Sequence, residues 1–168
     1  GEFFAGYEFY VGRKSNSIAA FQLHQATERY FAAALLVFTG TKPTTHDLEE
    51  LGKLVAPLHP RLAEPFPRAT EEDDRLFKLL KKAYIESRYS KSYRITAEEL
   101  GVLGERVRDR AGRVEQACRE ALAQGCADRI LAGTLNPDQE GEAGWVAILP
   151  PGAFDVTRPF PCMEQSAA

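Results

Sequence analysis

Several features are missing from this sequence of 168 residues, and each absence excludes a class of protein. No stretch approaches the ~20 consecutive apolar residues of a membrane-spanning helix. No basic segment precedes an apolar one, as it would in a signal peptide. We therefore expect a cytoplasmic protein with no membrane partner. The first residue is Gly1 rather than methionine, which we interpret as the start of a fragment.

Cysteine is scarce, and this argues against disulfide and zinc frameworks. The three cysteines are odd in number and irregularly spaced, which indicates reduced thiols; they are Cys118, Cys126 and Cys162. The three histidines all precede residue 60. Cysteines and histidines are therefore too far apart in the sequence to indicate a zinc site. We expect neither a metal nor another cofactor.

The apolar residues that are present follow a helical period, and we find no pattern typical of a strand. Start and stop signals for helices fall at Ser15–Ser17, Gly40, Thr70 and Thr96. A shorter helix should end before Pro57. The sequence therefore predicts an all-α fold, an up-and-down antiparallel bundle of about five helices, over residues 1–123.

The composition changes after residue 123. Residues 124–168 contain five of the ten prolines, five glycines, and six acidic against two basic residues. Prolines and glycines oppose regular helices, and this composition is typical of segments that stay mobile. We expect a Pro/Gly-rich acidic tail that is poorly ordered and mobile.

Positive charge is concentrated in one place, although the whole chain has a net charge of −3. Residues 78–94 contain six basic residues and one acid, interleaved with tyrosines. This combination suits a ligand with phosphate groups and a base that can stack on a ring. The candidate ligand-binding residues are Arg88, Tyr89, Lys91, Tyr93, Arg94, Lys81 and Lys82. The alternative is a structural role, because cations near a helix C-terminus complement the helix dipole.

Two pairs of polar residues are further candidates for a site. His24 and Glu28 are four residues apart on the long helix and project from one face. We interpret them as a histidine hydrogen-bonded to a glutamate inside the bundle, because a metal would need further ligands. His46 and Asp47 precede the short helix, and we interpret Asp47 as its cap. We assign no catalytic residue.

Three segments in order resemble the HEPN domain family. They are Ala19 to Arg29 (AAFQLHQATER), Thr45 to Leu51 (THDLEEL) and Ala83 to Tyr89 (AYIESRY). The resemblance implies a helical bundle, often a homodimer, that takes part in nucleotide or RNA transactions. It also implies a fused or neighbouring minimal nucleotidyltransferase as partner.

The apolar stripe of the last helix, which includes Leu100, Leu103 and Val107, would suit either a core or a dimer interface.

The resemblance also implies two kinds of member. Toxin-type members of toxin–antitoxin pairs are metal-independent ribonucleases, with an arginine followed four to six residues later by a histidine. Arg88 stands at the arginine position, but no histidine follows His59. We therefore expect a non-catalytic module that binds a nucleotide, ATP or GTP, and dimerises, as in sacsin-type members. The alternatives are a ribonuclease with a degenerate site built on Tyr89, Tyr93 and Arg94, and a pure scaffold for a nucleotidyltransferase.

Overall fold

The computed structural model describes residues 1–64 and 66–131, with side chains described up to residue 125. These residues form five α-helices and two short 3-10 turns, and they include no strand. The helices are α1 (Glu2–Gly12), α2 (Asn16–Thr39), α3 (Leu48–Val55), α4 (Glu71–Tyr89) and α5 (Ala97–Leu131), with the 3-10 turns at Ala56–Leu58 and Pro60–Leu62. The all-α prediction and the helix count are confirmed.

The helix boundaries follow the capping residues of the sequence. Gly40 ends α2 in a left-handed conformation with φ of 68°, which a residue without Cβ adopts at little cost. At the start of α4, Thr70 and Asp73 form a reciprocal capping box, with bonds of 3.0 and 3.1 Å to each other's backbone N–H. Thr96 and Glu99 form a second such box at the start of α5. Both boxes satisfy N–H groups that have no partner within the helix.

Helix α5 runs beyond the predicted boundary between residues 123 and 124 and is described as far as Leu131. The segment Ala121 to Gln124 consists of good helix formers, and only Gly125 opposes continuation of the helix. Local helix propensity therefore carries α5 past the change in composition. The rest of the predicted tail, residues 132–168, lies outside the described residues, as do the side chain of Cys126 and all of Cys162.

Helix α2 is the centre of the bundle and contacts each of the other four helices. Helix α1 runs antiparallel to it, since Gly6 lies against Gln22 and the Phe3 ring lies under Arg29. Helix α4 is also antiparallel to α2, because Phe21 and Tyr84 are stacked while His24, further along α2, reaches the earlier residue Leu80.

Helix α5 runs antiparallel to α4 and α1, which completes the up-and-down arrangement. Near its start Glu99 pairs with Arg75, and about two turns later Arg106 pairs with Asp73. The predicted apolar stripe of α5 faces inward, and five of its positions are buried in the core: Leu100, Leu103, Val107, Val114 and Ala117. This stripe is therefore core rather than an exposed seam.

None of the described helices is both long and apolar enough to cross a membrane.

One close helix approach depends on glycine. Tyr7 of α1 lies against Gly104 of α5, and its hydroxyl donates a hydrogen bond of 3.1 Å to the Leu100 carbonyl. A Cβ atom at Gly104 would be 2.6 Å from Cζ of Tyr7, far inside van der Waals contact. The absence of a side chain at this position allows α1 and α5 to pack this closely.

Candidate functional site

The candidate site lies where α2, the segment before α3, and the C-terminal half of α4 meet. The ring of Tyr84 is at its centre. Around it lie His46 with ring centres 5.1 Å apart, His24 at 5.2 Å and Phe21 at 6.5 Å. The interplanar angles are 18°, 27° and 22° respectively, which is a stacked arrangement. We call these four residues the aromatic stack.

His24 is the buried member of the stack and is 1% exposed. Its Nδ1 lies 3.1 Å from the Leu80 carbonyl oxygen. Because a carbonyl can only accept, we assign the proton of the neutral ring to Nδ1. Burial lowers the pKa of His24, which favours that neutral form. Nε2 then carries a lone pair that is buried without a hydrogen-bond partner.

Glu28 bonds to a different histidine from the one we predicted. Its Oε2 is 3.9 Å from Nε2 of His24, which is too long for a hydrogen bond. Its Oε1 is instead 3.0 Å from Nδ1 of His46. The predicted hydrogen bond between His24 and Glu28 is therefore wrong, because the chain before α3 brings a second imidazole to the carboxylate. The His46 side chain is 56% exposed and that of Glu28 only 12%.

Asp47 caps α3, as predicted, and accepts bonds from the N–H groups of Glu49 and Glu50. Lys81 of α4 binds Asp47 at 3.2 Å and Glu49 at 2.8 Å. Partial burial acts to raise the pKa of the Asp47 carboxyl. The hydrogen bonds from the Glu49 N–H and from Lys81 outweigh this effect, so the pKa is lowered. The hydrogen bond to Glu49 likewise raises the pKa of Lys81. Lys81 therefore joins α4 to α3, and its charge is already matched by two carboxylates.

Arg88, at the end of α4, is exposed and stacks on rings. Its Cζ lies 4.8 Å from the centre of the Phe21 ring, 5.0 Å from that of Tyr84 and 5.2 Å from that of Tyr89. Nε and Nη2 donate to the Tyr84 carbonyl at 3.0 and 2.6 Å. No carboxylate among the described residues forms an ion pair with Arg88. Its charge is held in place by rings and a carbonyl but is not neutralised.

The other predicted cations differ in whether they are already paired. Lys82 is 3.8 Å from Glu86 and forms an ion pair within α4. Lys91 and Arg94 are exposed, and within the described ranges neither pairs with a carboxylate. Arg94 donates to the carbonyls of Lys91 and Tyr93. Lys91 and Arg94 thus extend the unneutralised positive charge beyond the end of α4.

The two predicted stacking tyrosines lie in different environments. Tyr89 is 77% exposed, whereas Tyr93 is 4% exposed. The Tyr93 hydroxyl donates to the Leu79 carbonyl at 3.1 Å, and burial raises its pKa. The prediction of Tyr93 as a ligand contact is therefore not compatible with this conformation. The chain turns after Ser90 and places the Tyr93 ring against α4.

Phe21 was not among the predicted site residues, and Tyr84 was predicted only as one of the tyrosines within the basic segment, although helical spacing could have indicated both. Phe21 is one turn before His24, and Tyr84 is one turn before Arg88, so each pair shares a helix face. The resulting site offers an unneutralised guanidinium, an exposed ring, and an imidazole oriented by a carboxylate. No cluster of metal-ligating residues occurs in the part of the chain that the structure describes.

No curated protein matches the chain. The model of the HEPN domain family does match it, over residues 3–121. That range begins in α1 and ends in α5, so it spans all five helices and every residue of the site above. The chain belongs to the HEPN domain family.

Proposed function

We propose that this protein is a non-catalytic, nucleotide-binding HEPN module whose ligand docks on Arg88, Tyr89, Lys91 and Arg94, which we call the arginine surface. The observation that carries the proposal is the state of Arg88. Three rings and a backbone carbonyl fix its guanidinium, yet no described carboxylate neutralises it. An oriented, exposed guanidinium is suited to the charge and planar geometry of a phosphate group.

A nucleotide has two kinds of group to place on this surface. Its phosphates would lie on Arg88, with Lys91 and Arg94 adding positive charge from the chain after α4. Its base would stack on Tyr89, whose ring is largely exposed. Lys81, Lys82 and Tyr93 are not part of this binding mode, because the first two are paired with carboxylates and the third is buried.

The test compares Arg88→Ala with Arg108→Ala by titration calorimetry with ATP and GTP at low salt. Arg108 is a matched control because it also stacks on a ring, that of Phe4 at 5.1 Å, but pairs with Glu8 at 2.9 Å. Loss of a hydrogen bond to a charged group costs about 1.5–3 kcal/mol. We therefore expect Arg88→Ala to lower the affinity at least about tenfold, and Arg108→Ala to leave it unchanged.

Two results would contradict this proposal. One is the absence of binding for both nucleotides at low salt, where exposed charges act most strongly. The other is an equal affinity for the wild type and Arg88→Ala. Added salt should weaken the binding of the wild type, because the phosphate contacts are electrostatic.

One observation favours ribonuclease activity as a second candidate. The sequence lacks a histidine after Arg88, but His46 lies on the same tyrosine ring that Arg88 contacts. Glu28 holds Nδ1 of His46, which leaves its exposed imidazole able to transfer a proton at Nε2. General acid–base catalysis by such a group contributes about 10²–10⁴-fold.

Labelled RNA incubated with the wild type, Arg88→Ala and His46→Ala decides between the two candidates. A ribonuclease of this kind requires both side chains, so each variant should cleave the RNA more slowly than the wild type. If the wild type leaves the RNA intact, or if His46→Ala cleaves it as fast as the wild type, this second candidate is excluded.

We also propose that the protein forms a homodimer and has a nucleotidyltransferase partner, whether its HEPN domain is of the sacsin type or of the nucleotidyltransferase-associated type. These two proposals are supported by the HEPN membership and by the exposed apolar side chains on helix faces, such as Phe9, Ile18 and Ile85. Light scattering should give twice the monomer mass. A co-expressed minimal nucleotidyltransferase should co-purify with the chain. If the protein is only a scaffold, the nucleotidyltransferase should co-purify but the chain should have no affinity for nucleotides.

A further inference from the structure

A cavity of about 250 Å³ lies beside the first half of α5, near the start of α4. The loop before α4 and one face of α5 form its walls. Its lining residues are Phe66, Pro67, Glu105, Arg106, Asp109 and Arg110. Arg106 pairs with Asp73 near the start of α4, whereas Arg88 is near the end of that helix. At 1.5 Å per residue, the two sites are about 20 Å apart along α4.

Arg110 is the unusual residue of this cavity. It is 4% exposed, and it makes no hydrogen bond or ion pair with the described residues. Its Nη1 is buried without a partner. Arginine is rarely buried unless it is paired, because removing a charge from water without a partner is costly. The burial also lowers the pKa of Arg110.

Arg106 places a second unpartnered nitrogen in the same region. It is one helical turn before Arg110, so both side chains project from one face of α5. Its Nη2 pairs with Asp73 of α4, and this contact fixes the guanidinium. Its Nη1 is buried and has no hydrogen-bond partner. The buried Arg110 and the partly buried Arg106 therefore each have one buried donor with no acceptor among the described residues.

The carboxylates that line the cavity do not supply these acceptors. Asp109 is directed to Arg113, whose Nε is 2.9 Å from Oδ2. Glu105 is exposed to solvent and forms no ion pair with either arginine. Glu64 lies in the loop before α4 and influences Arg110 only from a distance. The two guanidinium groups are therefore left with unused donors beside an open cavity.

We propose that this cavity is a binding site for a small molecule with an oxyanion group, a phosphate or a carboxylate, held by Arg106 and Arg110. Both groups match the fork of guanidinium donors. The cavity is larger than one such group needs, and Phe66 and Pro67 form an apolar wall for the rest of the molecule. Glu105 at the rim repels further negative charge, so the ligand has a single anionic group or has its other charges directed to solvent.

The first experiment uses the full chain and three probes: inorganic phosphate, glycerol 3-phosphate and succinate. Each is added up to about 10 mM, where a millimolar site is largely occupied, against chloride at equal ionic strength. Ligand that binds only the folded state raises Tm. We expect a rise with at least one probe, and the pattern distinguishes phosphate from carboxylate ligands.

The second experiment compares Arg110→Met with Arg108→Met on the same helix. Methionine keeps an unbranched apolar stem and removes the buried charge, so we expect the folded state to persist. Arg110→Met should weaken binding of the active probe at least about tenfold, as expected for loss of a charge-assisted bond. Arg108→Met, which removes an exposed arginine paired with Glu8, should bind as the wild type does.

A direct readout on the wild type covers the case in which Arg110→Met does not fold. The Nε–H resonances of Arg106 and Arg110 in a nitrogen-15 NMR spectrum should shift on titration with the active probe. Failure of all three probes to raise Tm, affinity that is unchanged in Arg110→Met, or arginine resonances that do not move would each overturn the proposal. The nucleotide proposal has a separate test, because Arg88→Ala leaves this cavity intact.

Discussion

Arg88 and Arg108 both lie over aromatic rings, but of the two only Arg108 has a carboxylate partner among the described residues. An exposed ion pair contributes little to stability, so the difference matters mainly for what each residue can bind. Arg108 has its negative partner within the protein. Arg88 has none among the described residues, and a phosphate can take that position without displacing a carboxylate.

Cys118 gives a prediction about a single residue. Its thiol is fully buried, and burial raises its pKa to about 12. Because the thiolate is the reactive form, Cys118 should resist iodoacetamide at pH 8 in the folded protein. Peptide mass spectrometry after a timed reaction would measure this. The same cysteine should react readily in guanidinium chloride, and rapid labelling without denaturant would contradict the buried position.

Exposure of the site residues was only partly predictable from the sequence. The charge pattern correctly indicated an exposed basic region around Arg88. It could not distinguish Tyr89 from Tyr93, because the difference arises from the turn that follows α4. It also could not place His46 beside Tyr84, since those residues are far apart in the sequence and meet only when α3 packs. Long-range packing, rather than local propensity, determines these positions.

At the scale of helices, Gly104 provides a test of the contact between α1 and α5. Gly104→Ala places a methyl group against the Tyr7 ring and should destabilise the fold by about 1–3 kcal/mol, as overpacking does. Gly112 on the same helix has no neighbour within 4 Å of an added Cβ. Gly112→Ala should therefore be neutral or stabilise by up to about 1 kcal/mol, from helix propensity alone.

Urea denaturation monitored by circular dichroism would give both free energies of unfolding. Equal values for the two variants would mean that α1 does not pack on α5 as described.

Most helix starts could be predicted because capping residues such as Thr70 and Thr96 act locally. The continuation of α5 past residue 123 could not be predicted, because the change in composition occurs within the helix.

At the scale of the whole molecule, His24 predicts how stability depends on pH. Burial lowers the pKa of His24 in the folded state, whereas an unfolded histidine titrates near about 6.5. Below that pH the unfolded chain binds a proton that the folded chain does not. The free energy of unfolding should therefore fall as the pH is lowered from 7 to 5, by up to about 1.4 kcal/mol per pH unit from this residue.

Urea denaturation at pH 7, 6 and 5 would measure this slope. His24→Gln keeps a group able to hydrogen-bond the Leu80 carbonyl but does not titrate, so its slope should be shallower. Most carboxylates titrate below this range, which separates their effect from that of His24. A slope in His24→Gln as steep as in the wild type would assign the pH dependence to other groups.

The hydrogen bond from Tyr7 to Leu100 joins the first and last described helices across 93 residues of sequence. On a ribosome, α1 and α2 can form a hairpin early, but their faces that pack on α5 stay uncovered until α5 has emerged. Translation at about 5–20 residues per second leaves that apolar surface exposed for several seconds or more. Truncation before α5 should therefore yield an aggregation-prone product rather than a smaller stable bundle.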